Sequence, residues 1–137
     1  MKPFDQALYD TDDPAKMLVI NWLTSRDFTA WVNPDQYGID VLAKKRKLEY
    51  AFEVEVKHNW TGEEFPYDTV HFSARKQKFL DSDRQTFFMM LNDDLTHALM
   101  VSSSALESSQ IVRKDTKYTS DESFISVPKS KCMVFAL

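Results

Sequence analysis

Apolar residues recur at helical spacing near the start of the chain. The stripe occupies positions i, i+3, i+4, i+7 and i+8, which is typical of a helix packed on a core. Its members are Ala15, Leu18, Val19, Trp22 and Leu23. Asp13 followed by Pro14 suits a helix start, because aspartate caps the helix and proline favours the first helical position. The pattern predicts a helix from Asp13 to about residues 25–27.

Alternating and clustered apolar positions then predict β-structure. Residues 28–32 form a first predicted strand, closed by the turn sequence Asn-Pro-Asp at 33–35. Two apolar-rich runs, 39–43 and 50–56, flank a polar and strongly basic connector. This arrangement predicts a β-hairpin.

The remaining pattern predicts further helices and strands. Ser73 can cap a helix over residues 74–81, in which Phe79 and Leu80 face inward. Residues 86–91 and 97–102 predict a second hairpin. A polar helix or turn between Ser104 and Lys114, short extended segments at 70–72, 124–127 and 132–137, and a surface loop at 115–123 complete the prediction.

Composition favours one folded domain over residues 1–137. The chain is 43% hydrophobic and 28% charged with two glycines, which argues against disorder. The formal charge of −4 provides no general field for binding polyanions. Cys132 is the only cysteine, so neither an intrachain disulfide nor a cysteine-rich zinc site is expected. Neither a membrane span nor a signal peptide is predicted, and we expect a cytoplasmic location.

The second strand of the first hairpin carries an unusual charge pattern. Phe52, Val54 and Val56 alternate with Glu53, Glu55 and Lys57. Period two places the three charged residues on one face. Two interpretations stay open: a metal site, or a solvated strand face with cross-strand ion pairs. Glu53 is either an auxiliary acid or, more simply, a surface residue.

Ile39-Asp40 followed by Glu55-Val56-Lys57 resembles the signature of the PD-(D/E)xK nuclease superfamily. Ile39 replaces the proline of that signature. The resemblance extends more weakly from the helix before residue 26 to the helix near residue 75. It implies an α+β, restriction endonuclease-like fold with an αβββαβ core, in which helices flank a mixed central sheet.

The resemblance also implies a metal-dependent mechanism. Asp40 and Glu55 would ligate Mg²⁺ or Mn²⁺ from adjacent strands, joined by the Val56 backbone carbonyl. Mg²⁺ retains several waters, so one or two carboxylates plus substrate phosphate suffice. Lys57 would position the attacking water or stabilise charge on the phosphate.

One family feature is absent from this sequence. Many relatives carry a glutamate on the first helix, whereas here no glutamate precedes Glu49. Only an aspartate such as Asp5, Asp10 or Asp13 could substitute, and Asp13 is already explained as a helix cap.

Two basic groups are candidates for phosphate contact. The first is the predicted hairpin tip, and the second is the helix after the charged strand. Their residues are Lys44, Lys45, Arg46 and Lys47 at the tip, and Arg75, Lys76 and Lys78 on the helix. Such residues supply sequence-independent, salt-dependent affinity for nucleic acid. The alternative for the tip is a solvated turn.

These observations predict a Mg²⁺- or Mn²⁺-dependent hydrolase, a DNA endonuclease with Asp40, Glu55 and Lys57 as catalytic residues. Because the chain is short, we expect cutting directed by DNA structure or by partner proteins. Analogy with junction resolvases, which make paired cuts, suggests a homodimer. RNA is a second candidate substrate. Two other functions stay open: a catalytically inactive nuclease-fold module for nucleic-acid binding or assembly, and an unrelated interaction protein.

Overall fold

Two β-sheets and one long helix form the molecule, in a computed structural model that describes residues 6–114 and 122–137. In chain order the elements are α1 (Gln6–Thr24), β1 (Thr29–Val32), β2 (Val41–Lys45), β3 (Leu48–Lys57), β4 (Thr69–Ser73), a 3₁₀ helix (Ala74–Phe79), β5 (Gln85–Asn92), β6 (His97–Ser102), α2 (Ser103–Glu107), β7 (Gln110–Lys114), β8 (Glu122–Pro128), a 3₁₀ turn (Lys129–Lys131) and β9 (Met133–Ala136). The 3₁₀ helix Ala74–Phe79 is called the basic 3₁₀ helix below.

The central sheet is mixed. Its six strands are ordered β1-β2-β3-β5-β6-β9, and β3 and β5 are parallel, whereas the other neighbours are antiparallel. A parallel pair needs a crossover connection. Here the crossover contains β4 and the basic 3₁₀ helix. These two elements are thereby brought alongside β3.

Each face of the central sheet buries a separate apolar cluster. On one face α1 packs through Ala15, Val19 and Leu23 against strand residues that include Phe52 and Val54. On the opposite face the strands pack against the second sheet, ordered β4-β8-β7. This second cluster contains Trp60, Phe65, Val70, Phe72, Phe88, Met90, Leu99, Val101, Leu106, Ile125 and Val127. The sheet is therefore covered by a helix on one side and mainly by strands on the other.

The predicted strands and both hairpins are present, with shifted ends. The first hairpin is β2–β3 and the second is β5–β6. The apolar stripe of α1 is also confirmed, since Ala15, Val19 and Leu23 are buried. However, α1 extends upstream to Gln6 and Pro14 lies inside it, so the predicted start at Asp13 is wrong. Proline already has a helical φ, and the helix continues through it despite the lost hydrogen bond.

The helix predicted over 74–81 is shorter and tighter than expected. It is a 3₁₀ helix capped by Ser73, whose Oγ accepts a hydrogen bond from the Arg75 N–H at 3.4 Å. The predicted loop at 115–123 lies mostly outside the described residues, as does Asp5, and the side chains of Asp10 and Asp13 are not described. No helix in the described ranges is long and apolar enough to cross a membrane.

Candidate active site

The register of the first hairpin places Asp40 next to Glu53. A tight turn at Arg46-Lys47 joins the strands, and Arg46 adopts the left-handed φ of 58°. From this turn the pairing runs to Val41 opposite Phe52. One further step brings Asp40 opposite Glu53. Asp40 therefore lies one residue before β2, next to the end of the paired segment.

The Asp40 side chain accepts a hydrogen bond from β3 at a point where β2 provides no backbone acceptor. Its Oδ2 accepts a hydrogen bond from the Val54 N–H at 2.8 Å, and its Oδ1 lies 3.4 Å from Lys16 Nζ. Alternate residues of a strand direct their backbone groups to the same edge. The carbonyls of Val54 and Val56 consequently point to the edge of β3 at which Asp40 lies.

Glu53 is a buried acid in contact with another acid. Its side chain is only 13% exposed. The pKa of Glu53 is raised from 4.5 to about 7: burial is the largest cause, Lys76 opposes it, and contact with Asp40 adds to it. Of the two interpretations that the sequence leaves open for Glu53, the simpler one, a surface residue, is wrong, and an auxiliary acid stays a prediction. The second sheet and the basic 3₁₀ helix cover the face on which it lies.

Lys76 of the basic 3₁₀ helix bridges the two glutamates of β3. Its Nζ donates a hydrogen bond to Glu53 Oε2 at 3.1 Å and lies 3.3 Å from Glu55 Oε1. Burial alone would lower the pKa of Lys76, but the charges of Glu55 and Glu53 outweigh it, so the pKa is above the ordinary value. The ammonium therefore stays charged, and Glu53 and Glu55 are confirmed to share one side of the strand.

The Asp40–Glu53 pair suits a small divalent cation. Glu53 Oε1 is buried and accepts no hydrogen bond within the described part of the chain. A buried oxygen beside a second carboxylate favours either a proton or a cation. Among the described residues, no three His, Cys, Asp or Glu side chains could hold a metal ion by themselves. The donor set thus fits a metal such as Mg²⁺, which is bound by one or two carboxylates and retains waters.

The other residues of the predicted motif have separate surroundings. Glu55 is half-buried and contacts Lys76. Lys57, at the end of β3, lies with its Nζ 5.3 Å from the centre of the Tyr67 ring. The structure thus brings Asp40 to Glu53 and Glu55 to Lys76.

A cleft of about 350 Å³ opens above the acids. The loop between β1 and β2 forms one wall and the basic 3₁₀ helix forms the other. The lining residues are Gln36, Tyr37, Gly38, Asp40, Glu53, Ser73, Arg75, Lys76, Lys78 and Phe79. Gly38 lies close to the Asn33 side chain, since a Cβ at position 38 would lie 2.6 Å from Asn33 Nδ2 and would displace it.

The predicted phosphate contacts separate into two regions. Arg75 and Lys78 are exposed at the cleft, with Arg75 3.7 Å from Glu122, whereas Lys76 is only 17% exposed and faces the acids. The hairpin tip lies at the opposite end of β2 from Asp40. There Lys44, Arg46 and Lys47 are exposed, and Lys45 packs its Nζ 5.0 Å from the Phe28 ring centre.

Lys16 is not predicted from the sequence, and Lys76 is predicted only as a phosphate contact. No local pattern indicates Lys16, because its ion pair with Asp40 exists only once α1 packs on the sheet. The sequence does contain a signal that Glu53 lies next to Asp40. A two-residue turn at 46–47 would have aligned position 40 with 53.

No protein-family model and no curated protein matches the sequence. Among solved structures, the chain is similar to Hjc, a Holliday junction resolvase from the archaeal hyperthermophile Archaeoglobus fulgidus. The TM-score is 0.56 with 12% sequence identity, and the match covers 86% of this chain and 84% of the resolvase. At this identity the likeness establishes the fold. The expected restriction endonuclease-like α+β fold with a mixed central sheet is confirmed.

Proposed function

We propose that the protein is a divalent-metal-dependent endonuclease that hydrolyses phosphodiester bonds in DNA, directed by branched structure in the manner of a junction resolvase. The observation that carries this proposal is the Asp40–Glu53 carboxyl pair, set by hairpin register at the floor of a cleft with a basic wall. The fold that the chain shares with a Holliday junction resolvase supports it.

The acids are the proposed metal ligands. Asp40 is held rigidly by the Val54 N–H, and Glu53 or Glu55 provides the second carboxylate. The carbonyls of Val54 and Val56 point to the same edge and can join them. A bound Mg²⁺ or Mn²⁺ would neutralise charge on the phosphate and lower the pKa of the attacking water. Lys57 stays a proposed group for positioning water near the end of β3.

Exposed cations around the cleft are the proposed DNA contacts. Arg75 and Lys78 stand on the wall next to the acids. The protein has a formal charge of −4, so its affinity for DNA must come from such local clusters. The hairpin tip, residues 44–47, would contact phosphates farther along the duplex. Paired cuts at a junction would need two sites, and a homodimer provides them.

DNA cleavage tests this proposal directly. We expect the wild-type protein to cut a four-way junction in Mg²⁺ or Mn²⁺ in preference to linear duplex or single strands, and EDTA to abolish cutting. Asp40→Asn and Glu53→Gln should each reduce the rate by about 10²-fold or more, since each removes a charge from the site. Single-stranded and structured RNA are included as alternative substrates.

Glu49→Gln is the matched control for these variants. Glu49 lies on the same strand but is exposed, 3.9 Å from Arg84. We expect its cleavage rate to equal that of the wild type. Cutting that persists in Asp40→Asn, or that is lost equally in Glu49→Gln, would contradict the assignment of the site.

One observation favours a second function, an inactive nuclease-fold module that binds nucleic acid or assembles with other proteins. Lys16 and Lys76 already provide positive charge to Asp40, Glu53 and Glu55. Internal lysines could therefore stabilise these acids without a metal ion. DNA binding by wild-type protein without any cleavage, and without Mn²⁺ binding by calorimetry, would support this function instead.

A further inference from the structure

We propose that Lys76 supplies the ammonium that faces the scissile phosphate, and that in the metal-free protein this ammonium holds the two glutamates of β3 together. The inference rests on the proposed nuclease function and deepens it. It assigns to the basic 3₁₀ helix a role that the sequence motif gives to Lys57.

The Lys76 ammonium lies between the two carboxylates of β3. Its Nζ lies 3.1 Å from Glu53 Oε2 and 3.3 Å from Glu55 Oε1. Glu53 in turn contacts Asp40. The Lys76 ammonium would therefore lie next to a metal ion held by these carboxylates. It would also lie near the substrate phosphate that such a metal would bind.

Lys76 is also part of the wall of the cleft. Lys76 lines the cleft together with Arg75 and Lys78, so the phosphate-facing wall and the acids meet at this residue. In the described residues, Lys57 is not part of that lining. The Lys57 Nζ lies 5.3 Å from the centre of the Tyr67 ring.

The backbone that carries Lys76 is well anchored. β4, which precedes the basic 3₁₀ helix, pairs with β8 as far as Ser73 opposite Phe124. Ser73 Oγ then accepts hydrogen bonds from Arg75 N at 3.4 Å and Arg75 Nε at 3.2 Å. Lys76 is the next residue, so its side chain starts from a fixed point on the wall of the cleft.

A metal ion and Lys76 would compete for the same carboxylates. A divalent cation on Glu53 or Glu55 would be repelled by an ammonium bound to the same groups. Removing the ammonium should therefore tighten metal binding, while it removes a charge that stabilises the transition state. Opposite effects on metal affinity and on cleavage distinguish this role from simple support of the fold.

Calorimetry with Mn²⁺ and junction cleavage test the inference in Lys76→Met, with Lys131→Met as the matched control. Lys76→Met should bind Mn²⁺ about tenfold more tightly than the wild type, because the competing charge is gone. Its single-turnover cleavage rate at saturating Mn²⁺ should fall by about 10²-fold. Lys131 is an exposed lysine outside the cleft lining, so Lys131→Met should bind Mn²⁺ and cut as the wild type does.

Further variants separate charge from folding. Lys76→Gln retains a hydrogen-bond donor for the glutamates but lacks the charge, and should behave as Lys76→Met does. Lys76→Arg retains the charge and should recover part of the cleavage. Thermal unfolding by circular dichroism identifies any variant that does not fold, and Lys76→Gln replaces Lys76→Met if the latter fails.

The results separate this inference from the proposed function. Wild-type cleavage that Lys57→Met abolishes and Lys76→Gln leaves intact would overturn the inference while the nuclease function stands. Unchanged Mn²⁺ affinity in Lys76→Gln would also overturn it. Wild-type protein that neither cuts DNA nor binds Mn²⁺ would overturn the proposed function itself.

Discussion

At the residue scale, the site depends on the contact between the Asp40 and Glu53 carboxyl groups. Glu53 and Glu55 occupy equivalent positions in the strand alternation, yet only Glu53 lies beside Asp40. The sequence identified Asp40 and the shared face of the acids. It could not identify Lys16 as the partner of Asp40, because that contact depends on helix-to-sheet packing.

Cys132 gives a pH-dependent prediction at this scale. Burial raises the pKa of its thiol from 9.0 to about 11. At pH 8 the folded protein should therefore react with iodoacetamide about 10²-fold more slowly than the urea-unfolded chain, since only the thiolate reacts. The folded state holds this proton more tightly than the unfolded state does. The stabilisation that results is therefore lost as the pH rises from about 9 to 11.

Alkylation rates followed by mass spectrometry check this expectation. The urea-unfolded chain at the same pH is the reference, corrected for the effect of urea on a free thiol peptide. Equal rates in the folded and unfolded states would contradict the burial of Cys132.

At the element scale, the β2–β3 hairpin determines the site. The alternation of β3 and the two apolar runs were sufficient to predict the hairpin from sequence. The basic connector hid the turn, because the ladder continues through Lys44 and Lys45 to a tight turn at Arg46-Lys47. Without that turn the register is not assigned, and the contact of Asp40 with Glu53 is consequently missed.

The loop between β1 and β2 gives an element-scale prediction. Gly38→Ala should destabilise the protein by about 1 kcal/mol. Its Cβ would displace the Asn33 side chain, whose Nδ2 donates a hydrogen bond to the Ile39 carbonyl at 2.9 Å. The loop would shift and move Asp40, and cleavage should fall as well.

Urea unfolding measures the stability of Gly38→Ala. Gln36→Ala is the control, because Gln36 is an exposed residue of the same loop. The close packing of this loop is disproved if both variants unfold at the wild-type urea concentration.

At the scale of the whole molecule, the sheets were predictable only in part. The sequence predicted a mixed central sheet with a helix before it, and this is confirmed. It did not predict that β4, β8 and β7 form a second sheet over the face that carries the acids. The pairing of β4 with β8 joins segments far apart in sequence, and short apolar runs do not specify such partners. That cover explains why Glu53 is buried.

The central claim is that this fold brings two carboxylates together to bind a divalent cation. Isothermal calorimetry with Mn²⁺ on wild type, Asp40→Asn and Glu49→Gln tests it most directly. All three proteins are first shown to be folded by circular dichroism. Because such metal sites use substrate phosphate as a ligand, the titration is repeated in Ca²⁺ with junction DNA. We expect Mn²⁺ to bind the wild type and Glu49→Gln equally and not to bind Asp40→Asn. A wild-type protein that binds neither Mn²⁺ alone nor Ca²⁺ with DNA would contradict the account.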